Sequence, residues 1–264
     1  MLWLALLAAS PAQARMSADV DAGRPLVAHV TVALADSKHQ NIGPVKGDLG
    51  DGMRPDVNLY WGALYGVAKF LPRQGWRVVK RTTIPDRRVL SRVVFERRIR
   101  RDGRSIRAIV VADAWAGPNI EDAIGRYFGH VQGRDVELVS VGEERVNAGA
   151  GAHVVVFVGH NGLMDFDAPD VRPREGAPIA AIALACITTG DFLPLLERAG
   201  AEPILLTRTL MAPEAYTLDA ALKTWFSGGD AGAVYVAGSD AYCAYQKCSH
   251  RTGRKVFWAP GASP

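Results

Sequence analysis

The chain has 264 residues, 48% hydrophobic and 22% charged, with a formal net charge of +4. That length and balance suit one folded domain with a sizeable core, and exclude a disordered chain, a coiled coil, a collagen-like repeat and a disulfide-dense miniprotein. No internal period of solenoid or propeller type recurs.

The first feature along the chain is the apolar run Leu2-Trp-Leu-Ala-Leu-Leu-Ala-Ala9, followed by Ser10-Pro11 and Ala12-Gln13-Ala14, the spacing of a processed export signal. Eight helical residues span about 12 Å against the roughly 30 Å of a bilayer core, so no transmembrane segment is expected. On this reading residues 1–14 are a signal peptide and 15–264 form a single domain in the periplasm or outside the cell. No Lys or Arg precedes Arg15, and the other reading is a buried N-terminal helix.

Pro25 to Ala35 is rich in β-branched residues and predicts a buried strand that ends in the polar loop Asp36-Ser-Lys-His-Gln-Asn41. The spacing of Leu59, Tyr60, Ala63, Leu64, Val67 and Phe70 predicts a helix over Val57–Leu71, and Trp76–Lys80 a second strand. Between Arg73 and Arg107 thirteen Lys or Arg stand against three acids. Within that stretch, residues 89–101 and 104–111 flank Asp102-Gly103 and predict a basic β-hairpin insertion with a type I′ turn. Its arginines read as a solvated hairpin face or, alternatively, as a surface for an acidic partner or envelope polyanion. With Phe95 as its single aromatic, in an exported chain, it does not suit nucleic acid. Asn119 predicts a helix start with Glu121 and Asp122 in the first turn.

Three further strand-length apolar runs follow, His153–Gly159, Pro178–Ala185 and Pro203–Thr207. Helical patterns cover Asp191–Ala199, Ala212–Phe226 and about Ala231–Cys248. This alternation predicts an α/β fold, a doubly wound three-layer α-β-α sandwich with a mostly parallel central sheet.

Reactive groups in such sheets sit in loops just past the carboxyl ends of the strands. His160 follows one core strand directly and Cys186 follows the next. On neighbouring parallel strands, about 4.8 Å apart, imidazole and thiol emerge side by side. A free thiol has a pKa near 8.5, so an adjacent imidazole is what supplies thiolate at neutral pH. The competing reading is plain packing, because cysteine is among the most often buried residues.

A strand ending at His160-Asn-Gly162 and a following core strand ending at Ala185-Cys186 resemble the pattern of the caspase–legumain–gingipain clan of cysteine peptidases, over roughly residues 25–226. The clan has His-Gly where this chain has His-Asn-Gly. The resemblance implies a caspase-like fold, Cys186 as nucleophile and His160 as acid/base. It also implies an oxyanion hole from the amides of Gly162 and Cys186, and a peptide or protein substrate. The segments Asn58–Gly66, Gly159–Phe166 and Leu210–Leu218 also look like those of exported bacterial proteins with no assigned function.

Asp36, Arg208 and Glu214 are candidates for the substrate pocket; Arg208 would favour an acidic side chain, Glu214 a basic one. Asp165 and Asp167 are candidates for orienting His160. No metal motif occurs, and neither a metal nor a cofactor is expected. Nor is there a G-x-C-x-G or G-x-S-x-G elbow with a following His, which speaks against an α/β-hydrolase or amidotransferase. The alternative to a hydrolase is a non-catalytic exported or envelope-associated binding protein that uses its basic hairpin. Cys243 and Cys248 suggest a disulfide, but five residues apart on an unbroken helix their Cα atoms are about 8.7 Å from each other, beyond the roughly 7 Å limit. A bridge therefore requires the helix to end between them.

Overall fold

The computed structural model describes residues 9–43 and 45–262; residues 1–8, the bulk of the expected signal, lie outside them. In chain order the helices are α1 (Pro11–Asp21), α2 (Val67–Arg73), α3 (Ile120–Val131), α4 (Thr188–Ala199), α5 (Ala215–Phe226), α6 (Ala231–Gln246) and α7 (His250–Val256). The strands are β1 (Leu26–Ala33), β2 (Arg77–Thr82), β3 (Val89–Arg101), β4 (Arg104–Trp115), β5 (Val136–Val141), β6 (Glu144–Gly149), β7 (Val154–Val158), β8 (Ala180–Leu184), β9 (Glu202–Thr207) and β10 (Phe257–Trp258).

Eight strands form one sheet in the order β10-β9-β8-β7-β1-β4-β3-β2. The block β9-β8-β7-β1-β4 is parallel, and antiparallel β10 and β3-β2 close its two sides. Every residue of β1, β7 and β8 is buried, as strands covered on both faces require. Alternate side chains serve opposite layers. Ala28, Val30 and Val32 of β1 pack with Met16, Leu71, Leu218, Trp225 and Val234 from α1, α2, α5 and α6. Val155, Phe157, Ala181 and Ala183 pack with Tyr127, Phe128 and Phe192 from α3 and α4. On that second face the β5–β6 hairpin covers Val27, Ile109 and Val111. The α/β architecture with a large, mostly parallel sheet is thus as the alternation of patterns indicated.

Two local expectations are corrected. The basic hairpin exists and turns at Asp102-Gly103, both with positive φ (49° and 76°), but it is no insertion: β4 lies beside β1 in the middle of the sheet. Most of its arginines are consumed internally. Arg92 binds Asp113 and Glu137, Arg101 binds Gln13 and Ser17, Arg107 binds Glu96 and Glu144, and Arg104 binds Asp21. The helix expected over Val57–Leu71 is mostly turns, with α2 only at its end. Buried Asn58 redirects that segment, because its side chain bonds the backbone of Ala35, Asp51 and Tyr60 instead of leaving them to a helix. The last helix stops at Lys247, which adopts the left-handed conformation, and restarts as α7. That break brings the Cys243 and Cys248 Cα atoms to 4.5 Å, and the two are disulfide-bonded. Finally, the β5–β6 hairpin carried no clear period in the sequence.

Ser10 caps α1 by accepting the Gln13 N–H, and Gln13 itself donates to the carbonyls of Trp225 and Gly229. The expected processing point after Ala14 falls inside this helix.

Candidate active site at the carboxyl edge of the sheet

β7 and β8 are parallel neighbours in register Val158↔Leu184, and the Gly159 N–H continues the ladder to the Leu184 carbonyl at 3.2 Å. His160 and Cys186 each stand two residues past that last pair, level with one another on the same edge. His160 is 8% exposed, and its Nε2 lies 2.6 Å from Asp165 Oδ2. Cys186 is the free cysteine, half-buried, with Sγ 3.7 Å from the Met211 carbonyl. Imidazole and thiol therefore share an edge while each is engaged with a different neighbour.

The turn that carries Cys186 is unusually constrained. Ile187 has φ 53° and ψ 40°, left-handed geometry that a β-branched residue adopts only under compulsion, at a cost of about 1–3 kcal/mol. The compulsion is visible in the buried pair Thr188 and Thr207. Thr188 N–H donates to Thr207 Oγ1 (3.1 Å), Thr207 N–H donates to Thr188 Oγ1 (2.9 Å), and the Thr207 hydroxyl donates to the Ala185 carbonyl. The Ile187 N–H donates to the Thr209 carbonyl at 3.1 Å. Asn161 then ties the histidine loop to the cysteine loop. Its side-chain amide donates to the Cys186 carbonyl and to Asp191 Oδ2, both at 2.8 Å, while its Oδ1 accepts the Leu163 N–H.

The far wall comes from segments distant in sequence. Burial, then the charges of Cys186 and Glu214, push the Tyr60 hydroxyl up. Tyr242 is raised chiefly by burial, with smaller contributions from the same two neighbours, and its hydroxyl accepts the Ala212 N–H at 3.4 Å. Glu214 is half-buried, which raises its carboxyl despite hydrogen bonds from Tyr216 (2.8 Å) and Gln246 (3.1 Å). Arg208 is half-exposed and makes no ion pair among the described residues, while its N–H donates to the Val256 carbonyl.

The remaining sequence candidates are placed differently. Asp36 lies past β1 on the same edge, but its carboxylate is spent inside its own loop. It accepts the Lys38 and His39 N–H groups, meets His39 Nδ1 at 2.8 Å, and is enclosed by Gly52 and Gly117. A Cβ on Gly52 would stand 2.4 Å from Asp36 Oδ2, so only glycine fits there. The Gly162 N–H, expected in an oxyanion hole, donates to the His160 carbonyl at 3.1 Å. Asp167 is exposed on the surface and is not brought to His160. Asn161, Tyr60 and Tyr242 went unremarked as site residues. The position of Asn161 between His160 and Gly162 was a usable signal, whereas the tyrosines reach the site only through the fold. Donors suited to a metal converge elsewhere, on His29, His130 and Glu137 beneath the β5–β6 hairpin.

No protein-family model, no curated protein and no solved structure matches the chain.

Proposed function

We propose that the protein is a cysteine peptidase or related amide hydrolase of the caspase–legumain–gingipain type, acting through Cys186 and His160. The observation that carries this reading is the level emergence of the two residues from adjacent parallel strands, with Cys186 set on a strained, tightly braced turn. Strain held by an over-determined network clusters at functional sites. His160 takes the thiol proton, and the Cys186 thiolate attacks the amide carbonyl. The tetrahedral intermediate then collapses as His160 returns the proton to the leaving amine, and water hydrolyses the thioester by the reverse exchange. Asp165 holds the imidazole ring in place. The Cys186 amide is one donor for the oxyanion, and Gly162 becomes a second only if its N–H turns away from His160.

Met53, Leu64, Met164 and Leu210 are exposed apolar side chains on loops that follow β1, β7 and β9, a rim suited to an apolar polypeptide stretch. Work outside the cytoplasm accords with the apolar N-terminal run and with the Cys243–Cys248 disulfide. The test is incubation of the purified protein with a synthetic peptide library, read by mass spectrometry beside Cys186→Ala. Cleavage that disappears in the variant supports the reading, while no cleavage, or cleavage that survives it, overturns it.

A further inference from the structure

On the α3 face of the sheet, away from the Cys186 edge, His29 (β1), His130 (α3) and Glu137 (β5) each offer one ligand atom, all within 4.8 Å of one another. The rings of the two histidines stand 4.6 Å apart, centroid to centroid. His130 is fully buried, and neither of its ring nitrogens has a hydrogen-bond partner; Nε2 stops 3.5 Å from Glu137 Oε1. Two orphaned nitrogens in one buried imidazole are unusual, since buried polar groups are nearly always satisfied. His29 is set up as metal-ligating histidines are, with its Nε2 3.2 Å from Asp113 Oδ2, a carboxylate that fixes the tautomer. Its Nδ1 lone pair accepts the Gly149 N–H at 2.9 Å, so a cation at that atom has to displace the amide.

The charges divide usefully. Arg92 binds Asp113 through Nε (2.6 Å) and Nη2 (2.5 Å), and reaches Glu137 Oε2 at 2.5 Å, leaving Glu137 Oε1 turned toward His130. Two carboxylates against one guanidinium leave a net negative charge beside the two imidazoles. A cleft of about 240 Å³ is lined by Arg92, Asp113, Arg126 and, of the three cluster residues, Glu137.

The geometry points to a structural transition-metal site, suited to Zn²⁺, built from His29, His130 and Glu137 with Asp113 and Arg92 behind them. Two imidazoles and a carboxylate match zinc rather than calcium or magnesium. Tetrahedral ligand atoms lie about 3.4 Å from one another, so closure around the ion draws the three inward by an ångström or so and pins the β5–β6 hairpin to α3 and the sheet.

The test uses the full chain stripped with a chelator, then titrated with Zn²⁺ and, separately, Co²⁺. One equivalent of Zn²⁺ that survives gel filtration and raises the melting temperature is expected, together with visible Co²⁺ bands of a low-coordinate nitrogen–oxygen site. His130→Leu removes no hydrogen bond, so it should fold, and it should weaken Zn²⁺ binding by more than about 100-fold and abolish the thermal shift. Asp113→Asn should weaken it by about 10- to 100-fold. Should His130→Leu not fold, Glu137→Gln gives the same readout. Absence of binding by the wild type overturns the proposal. So does equal binding by wild type and variants, because the ion then sits at an exposed pair such as His250 and Asp240.

Discussion

The Asn161 side chain joins the histidine loop to the cysteine loop, and removing it gives a sharp test of how that edge is held. It is fully buried, donates to the Cys186 carbonyl and to the Asp191 carboxylate, and accepts the Leu163 N–H. Two neutral hydrogen bonds at about 1 kcal/mol each and one to a charged group at about 1.5–3 kcal/mol put Asn161→Ala about 3–5 kcal/mol below the wild type. At roughly 2–4 °C per kcal/mol for a chain of this size, the melting temperature falls by roughly 6–20 °C. Asn161→Asp is a stricter version, because it sets a carboxylate against that of Asp191. The pair resists double ionisation, so its folded-state proton affinity rises above the unfolded value near 4. Stability of this variant is therefore present at low pH and lost as pH rises through the folded value, and melts at about pH 5 and pH 8 should diverge from the wild type in that sense. The reasoning fails if Asn161→Ala melts within about 0.5 kcal/mol of the wild type, or if Asn161→Asp is no worse at the higher pH.

Three other outcomes follow from the same contacts. Asp165→Ala frees the His160 ring from its 2.6 Å partner and should slow alkylation of Cys186 at neutral pH about tenfold without changing the fold, checked by mass spectrometry and circular dichroism. Reduction of the Cys243–Cys248 bridge, which closes a loop with a sequence separation of 5, should cost about 2 kcal/mol and lower the melting temperature by roughly 4–8 °C, measured with and without dithiothreitol. His153 and His130 both have pKa values lowered to about 4, mainly by burial, with Arg15 acting further on His153 and His29 on His130. The unfolded chain therefore binds more protons between about pH 6.5 and 4, and stability should fall across that window by on the order of 3 kcal/mol per histidine, read from denaturant melts. Asp19, beside His153, and Glu137, beside His130, are held below the usual carboxylate range despite burial and carry the loss to lower pH.

What the sequence disclosed, and what it hid, divides by the range of the interactions. The strands β1, β7 and β8 were legible because both their faces are buried and their residues are continuously apolar. The level placement of His160 and Cys186 followed from strand ends alone. The Val57–Leu71 pattern had a helical period, yet Asn58 overrode it through long-range bonds to Ala35 and Asp51, and Gly62 and Gly66 pack against backbone that any side chain would strike. Charge counting left two readings of the β3 and β4 arginines, a solvated face or a partner surface, because the acids that pair with several of them, Asp21, Glu137 and Glu144, lie elsewhere in the chain. The His29, His130 and Glu137 cluster had no motif to announce it, since its members come from three separate elements.

The most direct test of the central claim is alkylation of Cys186, the sole free cysteine, with iodoacetamide across about pH 5–9 in the native protein, beside His160→Ala. Cys186 should react far faster than an ordinary thiol below about pH 8, and lose that advantage in the variant. If Cys186 is alkylated only on unfolding, or at the same rate without His160, the thiol is core packing and the hydrolase reading is wrong.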